Sequence, residues 1–69
     1  MKLKKILKQK EYQQYTTIKI IDINNHWEVT VPIKYLIPKP ISKYYKKILK
    51  CETKHVHINN NMMLCVTVY

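Results

Sequence analysis

The chain has 69 residues, and its 13 lysines against four carboxylates leave a formal net charge of +9 at pH 7. A domain of this size buries only about 60% of its unfolded surface, so the chain forms one domain at most. It contains no glycine, which excludes a glycine-rich phosphate loop. No segment approaches the ~18–20 apolar residues of a membrane span.

The excess of positive charge predicts an acidic partner, either nucleic acid or an anionic surface. A second explanation stays open, because lysine, asparagine, isoleucine and tyrosine all have codons rich in A and T. The composition therefore also indicates a virus, a plasmid or an AT-rich microbe as the source, with some of the charge serving only to keep the surface solvated.

Residues 1–15 form a basic stretch, predicted as an N-terminal arm or a helix that forms only when docked. Leu3, Ile6 and Leu7 would share one face of such a helix, but isolated helices of this length are marginal in water. The segment is charged like the start of a signal peptide, yet no apolar region follows it, so we expect a cytoplasmic protein.

Residues 16–31 have the alternating pattern of a β-hairpin, with Asn24-Asn25 as a two-residue turn. Asparagine tolerates a positive φ, so a primed turn is possible without glycine. The second strand must end at Pro32, which has no amide hydrogen to donate. The predicted cross-strand pairs are Ile18–Val31, Ile20–Val29 and Asp22–Trp27.

Residues 33–41 are a connector stiffened by Pro38 and Pro40. Ser42 is a good N-cap for the helix that follows. The apolar stripe predicted for this helix consists of Ile41, Tyr44, Tyr45, Ile48 and Leu49. The lysines predicted on its opposite side are Lys43, Lys46, Lys47 and Lys50.

Residues 55–69 are predicted to form a second hairpin around the loop at 59–61. A three-residue loop would pair Ile58 with Met62 and Val56 with Leu64, which keeps the apolar residues on one face. The predicted fold class is α+β, with a ββαββ domain over residues 16–69 and the basic arm or helix over 1–15.

The segments IKIID (18–22), VTVPIKYL (29–36) and ILKCETKHVHINNNMML (48–64) resemble the AbrB/SpoVT-type swapped-hairpin DNA-binding domain. Lys19 stands where that family has a basic residue, and Pro32 stands at the family's proline. The family's contact arginines are absent, and lysine lacks the fork with which arginine reads guanine edges. The resemblance therefore implies DNA binding rather than a particular sequence specificity.

The resemblance also implies a homodimer, in which interleaved hairpins complete a core that one small chain would lack. Its implied partner is double-stranded DNA, contacted by lysines that hold phosphates and by one tyrosine against a sugar. The predicted nucleic-acid-binding residues are Lys19, Lys34, Lys39, Lys43 and Tyr35.

Cys51, His55, His57 and Cys65 form the one cluster with metal-ligand chemistry. The spacing matches no common zinc module, so we predict no metal or other cofactor; zinc binding and a Cys51–Cys65 disulfide remain alternatives. No paired carboxylates indicate acid–base catalysis, and we predict that the protein is not an enzyme; a ribonuclease using His55 or His57 remains open.

The sequence thus predicts a small, dimeric, DNA-binding transcriptional regulator. The alternative is a viral or mobile-element protein that binds and inhibits a host protein through the same basic surface. A membrane-surface role for residues 1–15 is a third option, although the arm is short of bulky interfacial residues.

Overall fold

Two β-hairpins lie side by side in one four-stranded mixed sheet in the computed structural model, which describes residues 1–69. The α+β class predicted from the sequence is confirmed. Short 3₁₀ turns lie at Lys10–Tyr12 and Ile33–Tyr35. The helices and strands are α1 (Leu3–Lys8), β1 (Thr17–Asp22), β2 (Trp27–Pro32), α2 (Lys43–Ile48), β3 (Thr53–Ile58) and β4 (Leu64–Val68).

The first hairpin has the register predicted from the sequence, with Ile20 opposite Val29 and Asp22 opposite Trp27. Its turn is different from the expected one. The left-handed backbone conformation lies at His26, with φ of 55°, and at neither of the two asparagines. Asn25 acts through hydrogen bonds instead, because its backbone amide and its side chain both donate to the Asp22 carboxylate.

The predicted register of the second hairpin is wrong by two residues. Ile58 pairs with Leu64, and the loop between β3 and β4 has five residues rather than three. The Asn59 side chain explains the longer loop, because its Oδ1 accepts hydrogen bonds from the backbone amides of Asn61 and Met63 at 2.9 and 3.0 Å. A shift of two keeps each side chain on its predicted face of the sheet.

The strand order in the sheet is β2-β1-β4-β3, with the central strands β1 and β4 parallel. The two hairpins are therefore joined through their inner strands. Burial alternates along β1, where Ile18, Ile20 and Asp22 are buried and the residues between them are partly exposed. One face of the sheet is thus covered, and the other is open.

The basic segment at the start of the chain is a docked helix, α1, on the covered face. Leu3 and Leu7 are almost fully buried in the core. Backbone hydrogen bonds fix the helix to the end of α2, since the Leu3 amide donates to Cys51 and the Lys4 amide to Leu49. Tertiary packing supplies the stability that a six-residue helix lacks alone.

The second helix, α2, begins as predicted, because the Ser42 side chain accepts a hydrogen bond from the Tyr45 amide at 3.3 Å. Ile48 and Leu49 are buried, but Ile41 is 61% exposed, so its predicted place in the apolar stripe is wrong. Ile41 precedes the cap and lies outside the helical periodicity. The core members are Leu3, Leu7, Ile18, Ile20, Val31, Ile33, Leu36, Ile48, Leu49, Leu64, Val66 and Val68.

Candidate nucleic-acid interface

Most of the positive charge lies on the layer formed by α1, the connector between β2 and α2, and α2 itself. In both helices the apolar residues point into the core and the lysines are exposed. We call this surface the helix layer. Its exposed lysines are Lys4, Lys5, Lys8, Lys34, Lys39, Lys43, Lys46, Lys47 and Lys50.

Two of the four carboxylates form ion pairs, and neither pair includes a lysine of the helix layer. Glu28 pairs with Lys19 at 3.6 Å, and Glu52 pairs with the α-amino group of Met1 at 3.0 Å. Lys19 is the one lysine in an ion pair. The helix-layer lysines therefore have no acidic partner within the chain.

Asp22 is a buried carboxylate that serves the fold rather than the surface. Asn25 donates to it from Nδ2 at 2.7 Å and from its backbone amide at 3.2 Å, and the Tyr44 hydroxyl donates at 3.2 Å. The hydrogen bonds, chiefly that of the Asn25 side chain, lower the pKa of Asp22 despite its burial. Burial and the nearby Asp22 charge raise the pKa of Tyr44 well above its usual value. Tyr44 also packs on Trp27, with ring centroids 5.0 Å apart.

A groove lies between α1, the connector and α2, with a volume of about 600 Å³. Two lysines of α1 border it, together with two lysines of α2 and the turn that follows. Apolar groups form much of its surface. We call it the lysine groove. Its lining residues are Lys4, Lys8, Lys46, Lys50, Leu36, Ile37, Pro38, Pro40 and Leu49.

A second depression of about 450 Å³ adjoins the lysine groove at the start of α2. Lys39, Lys43 and Lys46 all line it, together with residues of the connector. Lys46 and Pro40 line both cavities, so the two form one continuous basic surface.

The residues predicted to bind nucleic acid lie at three places in the structure. Lys39 and Lys43 lie together in the second depression, while Lys34 and Tyr35 lie in the 3₁₀ turn that follows β2. Lys19 is on β1 between two buried residues, and its side chain therefore points to the open face of the sheet, away from the helix layer.

The contribution of α1 to this surface is not evident from the sequence. Lys4 and Lys8 border the lysine groove, whereas the sequence predicts an arm or a docked helix over residues 1–15 without saying where it docks. The signal is the apolar stripe of Leu3, Ile6 and Leu7, which faces the core in the structure. With that stripe buried, the intervening lysines must point outward.

The cysteine and histidine residues do not assemble into a cluster. Both cysteines are free thiols, and no group of three or more potential metal ligands occurs in the structure. Cys51 packs against the core just after α2, and burial raises the pKa of its thiol. Cys65 on β4 is the cross-strand partner of His57 on β3. The rings of His55 and His57 are 5.6 Å apart on exposed side chains of β3.

Comparisons with protein-family models, with curated proteins and with solved structures found no match for this chain. Neither of its helices has the length and apolar character needed to cross a membrane. The charge and geometry of the helix layer are therefore the main indications of function.

Proposed function

We propose that this protein binds double-stranded DNA through the helix layer and acts as a small transcriptional regulator. The observation that carries the proposal is the segregation of charge, since the lysines of this layer have no carboxylate partners. Unpaired lysines attract phosphates, and release of the counterions condensed on DNA drives such binding.

The proposed contact surface is the second depression and the adjoining 3₁₀ turn, with Lys34, Lys39, Lys43 and Lys46 holding phosphates. Tyr35 is 36% exposed and is available to pack on a sugar. Lysine binds phosphate as a point charge, so backbone contacts would dominate over reading of base edges. Lys19 is a weaker candidate than the sequence suggested, because Glu28 already neutralises it.

The proposal keeps the resemblance to the AbrB/SpoVT-type domain, including a ββαββ unit over residues 16–69, a homodimer and a cytoplasmic location. The core closes within one chain, so a dimer is not needed to complete it. A dimer would instead double the number of lysines that contact one duplex, which would strengthen binding through two linked contacts.

The test is a fluorescence-anisotropy titration of labelled duplex DNA at two salt concentrations. We compare the wild type with a variant carrying Lys34→Gln, Lys39→Gln and Lys43→Gln. We expect affinity to fall by at least about tenfold, and the salt slope to decrease by about 0.9 for each phosphate that the variant no longer neutralises.

The matched control carries Lys10→Gln, Lys19→Gln and Lys54→Gln, which remove the same charge outside the proposed surface. We expect the control to retain affinity within about threefold at moderate salt, where distant charges are screened. Equal losses in the two variants would reject the proposed surface, and no binding at low salt would reject the function.

A second candidate is binding to an acidic surface of a host protein, as a viral or mobile-element inhibitor. The same unpaired lysines favour it, because they complement acidic patches as well as phosphates. Lack of DNA binding together with a tight protein complex that depends on Lys34, Lys39 and Lys43 would favour this candidate.

A further inference from the structure

The lysine groove combines an apolar floor with a positively charged rim, and DNA phosphates would use only the rim. We infer that the groove binds a single-chain amphiphilic anion, an aliphatic body with a phosphate or carboxylate head group. The inference does not depend on DNA binding.

The floor of the groove is built from residues that also belong to the core. Leu36 and Leu49 are buried beneath the groove, and its accessible apolar surface comes from partly buried Ile37 and Pro40 and from exposed Pro38. The volume of about 600 Å³ lies within the range of small-ligand sites, which are mostly apolar with a few polar groups that fix orientation. An aliphatic chain would cover this surface and release the water that hydrates it.

The rim consists of four lysines, two from α1 and two from α2 and the turn that follows it. Lys4 and Lys8 are four residues apart on α1 and share one helical side, whereas Lys46 lies in α2 and Lys50 lies in the turn after it. Like charges at this spacing repel, and no acidic residue lines the groove. A bound anion would relieve this repulsion, which gives the site its preference for a negative head group.

The lining also argues against a nucleobase as the occupant. It contains no aromatic ring, and proteins that hold unpaired bases usually stack them on aromatic side chains. The groove is bordered on three sides by α1, the connector and α2, which suits a compact ligand. An extended acidic peptide would leave most of its length outside it.

The first experiment is isothermal titration calorimetry of the full chain with dodecyl phosphate, kept below its micelle concentration. Inorganic phosphate supplies the head group alone, and dodecyl maltoside supplies the aliphatic chain with a neutral head. We expect saturable binding of one dodecyl phosphate per chain, at least about tenfold tighter than either control compound, because only it contacts both floor and rim.

Two matched variants test the location. The rim variant carries Lys4→Gln and Lys50→Gln, and the control carries Lys10→Gln and Lys54→Gln, which lower the net charge equally. We expect the rim variant to lose about tenfold in affinity and the control to change by less than about twofold. An equal loss of dodecyl phosphate affinity in the two variants would show that diffuse charge attraction causes the binding. The proposed site would then be wrong.

The floor is tested by Ile37→Gln, which removes apolar surface without changing charge. We expect weaker dodecyl phosphate binding and an unchanged response to inorganic phosphate. Should this variant unfold, methyl NMR of the wild type replaces it, with ligand-dependent shifts expected at Leu36 and Leu49. An absence of such shifts would overturn the inference.

A vesicle experiment distinguishes a free amphiphile from a membrane surface. In one outcome, the protein co-sediments with phosphatidylcholine vesicles that contain phosphatidate and yet does not bind monomeric dodecyl phosphate. That result would assign the surface to membranes and reject the inference. Binding of an acidic peptide in preference to dodecyl phosphate would reject it as well. DNA affinity is measured separately on the same rim variant, so failure of one proposal leaves the other testable.

Discussion

The two faces of the sheet differ in whether their charged side chains form ion pairs. On the covered face, α1 and α2 bury their apolar residues and present lysines without partners to solvent. On the open face, Lys19 is paired with Glu28, and the neighbouring polar residues include His55 and His57. The same short sheet therefore carries one surface of uncompensated charge and one of mixed polarity.

This difference shows that the number of lysines does not by itself define a binding surface. Leu3 and Leu7 turn inward, and this orientation forces Lys4 and Lys8 outward beside the lysines of α2. Core packing thus determines which lysines are gathered together. The comparison predicts that stability and ligand binding both depend on the helix layer far more than on the open face.

The largest expected effect is on stability, from Leu7→Ala on the covered face. Leu7 is 2% exposed, and removing a buried leucine side chain costs about 2–5 kcal/mol in the free energy of unfolding. The matched variant is Ile21→Ala on β1, where the side chain is only partly buried on the open face. We expect it to cost about 1 kcal/mol.

Urea denaturation, monitored through Trp27 fluorescence, measures both variants. A cost for Leu7→Ala no larger than that of Ile21→Ala would show that Leu7 is not packed in the core as the structure has it. The segment before β1 would then fit the arm, rather than the docked helix, of the two alternatives predicted from the sequence.

A smaller effect is expected from Asp22→Asn, which tests the polar network beneath α2. The amide cannot accept all the hydrogen bonds that Asn25 and Tyr44 donate to the carboxylate, so we expect a loss of about 1–3 kcal/mol at neutral pH. The matched variant is Glu28→Gln, an exposed carboxylate on the open face. We expect a change within about 0.5 kcal/mol for it.

The pH dependence sharpens this test. The pKa of Asp22 is lowered in the folded chain, so its contribution is present above the unfolded pKa of about 3.9 and is lost as the pH falls through the lower folded value. Between neutral pH and strongly acidic pH, the wild type should therefore lose more stability than Asp22→Asn. Parallel stability curves for the two proteins would contradict the assignment.

The smallest effect is expected for Lys19→Gln. The Lys19–Glu28 pair is partly exposed and its atoms are 3.6 Å apart, and such pairs contribute about 0–1 kcal/mol. We expect little change in thermal midpoint and less than about a twofold change in DNA affinity. A decrease in DNA affinity as large as that of Lys39→Gln, measured by anisotropy, would move the binding surface to the open face.

Local signals in the sequence predict much of the fold. The alternation around Asn24 and Asn25 indicates the correct register of the first hairpin, and Ser42 marks the start of α2. These features depend on neighbouring residues and on turn or cap chemistry. The register predicted for the second hairpin is wrong because the Asn59 side chain binds two backbone amides and lengthens the loop.

Features that depend on distant residues are not predictable in this way. The parallel pairing of β1 with β4 has no local periodicity, and α1 needs its contact with Leu49 and Cys51 to be stable. For the same reason, the closeness of Lys39 and Lys43 is predictable from the sequence, while the position of Lys4 and Lys8 beside Lys46 and Lys50 is not. The candidate surface is therefore only partly predictable.

The central parallel strand pair also has a kinetic consequence. It joins Ile18 to Leu64, which are 46 positions apart, whereas each hairpin pairs residues that are near in sequence. Closing such a long loop costs entropy before the strands can pair, and chains in which distant segments pair fold slowly. The hairpins should therefore form early, and their union along β1 and β4 should limit the folding rate of a chain that is otherwise very short.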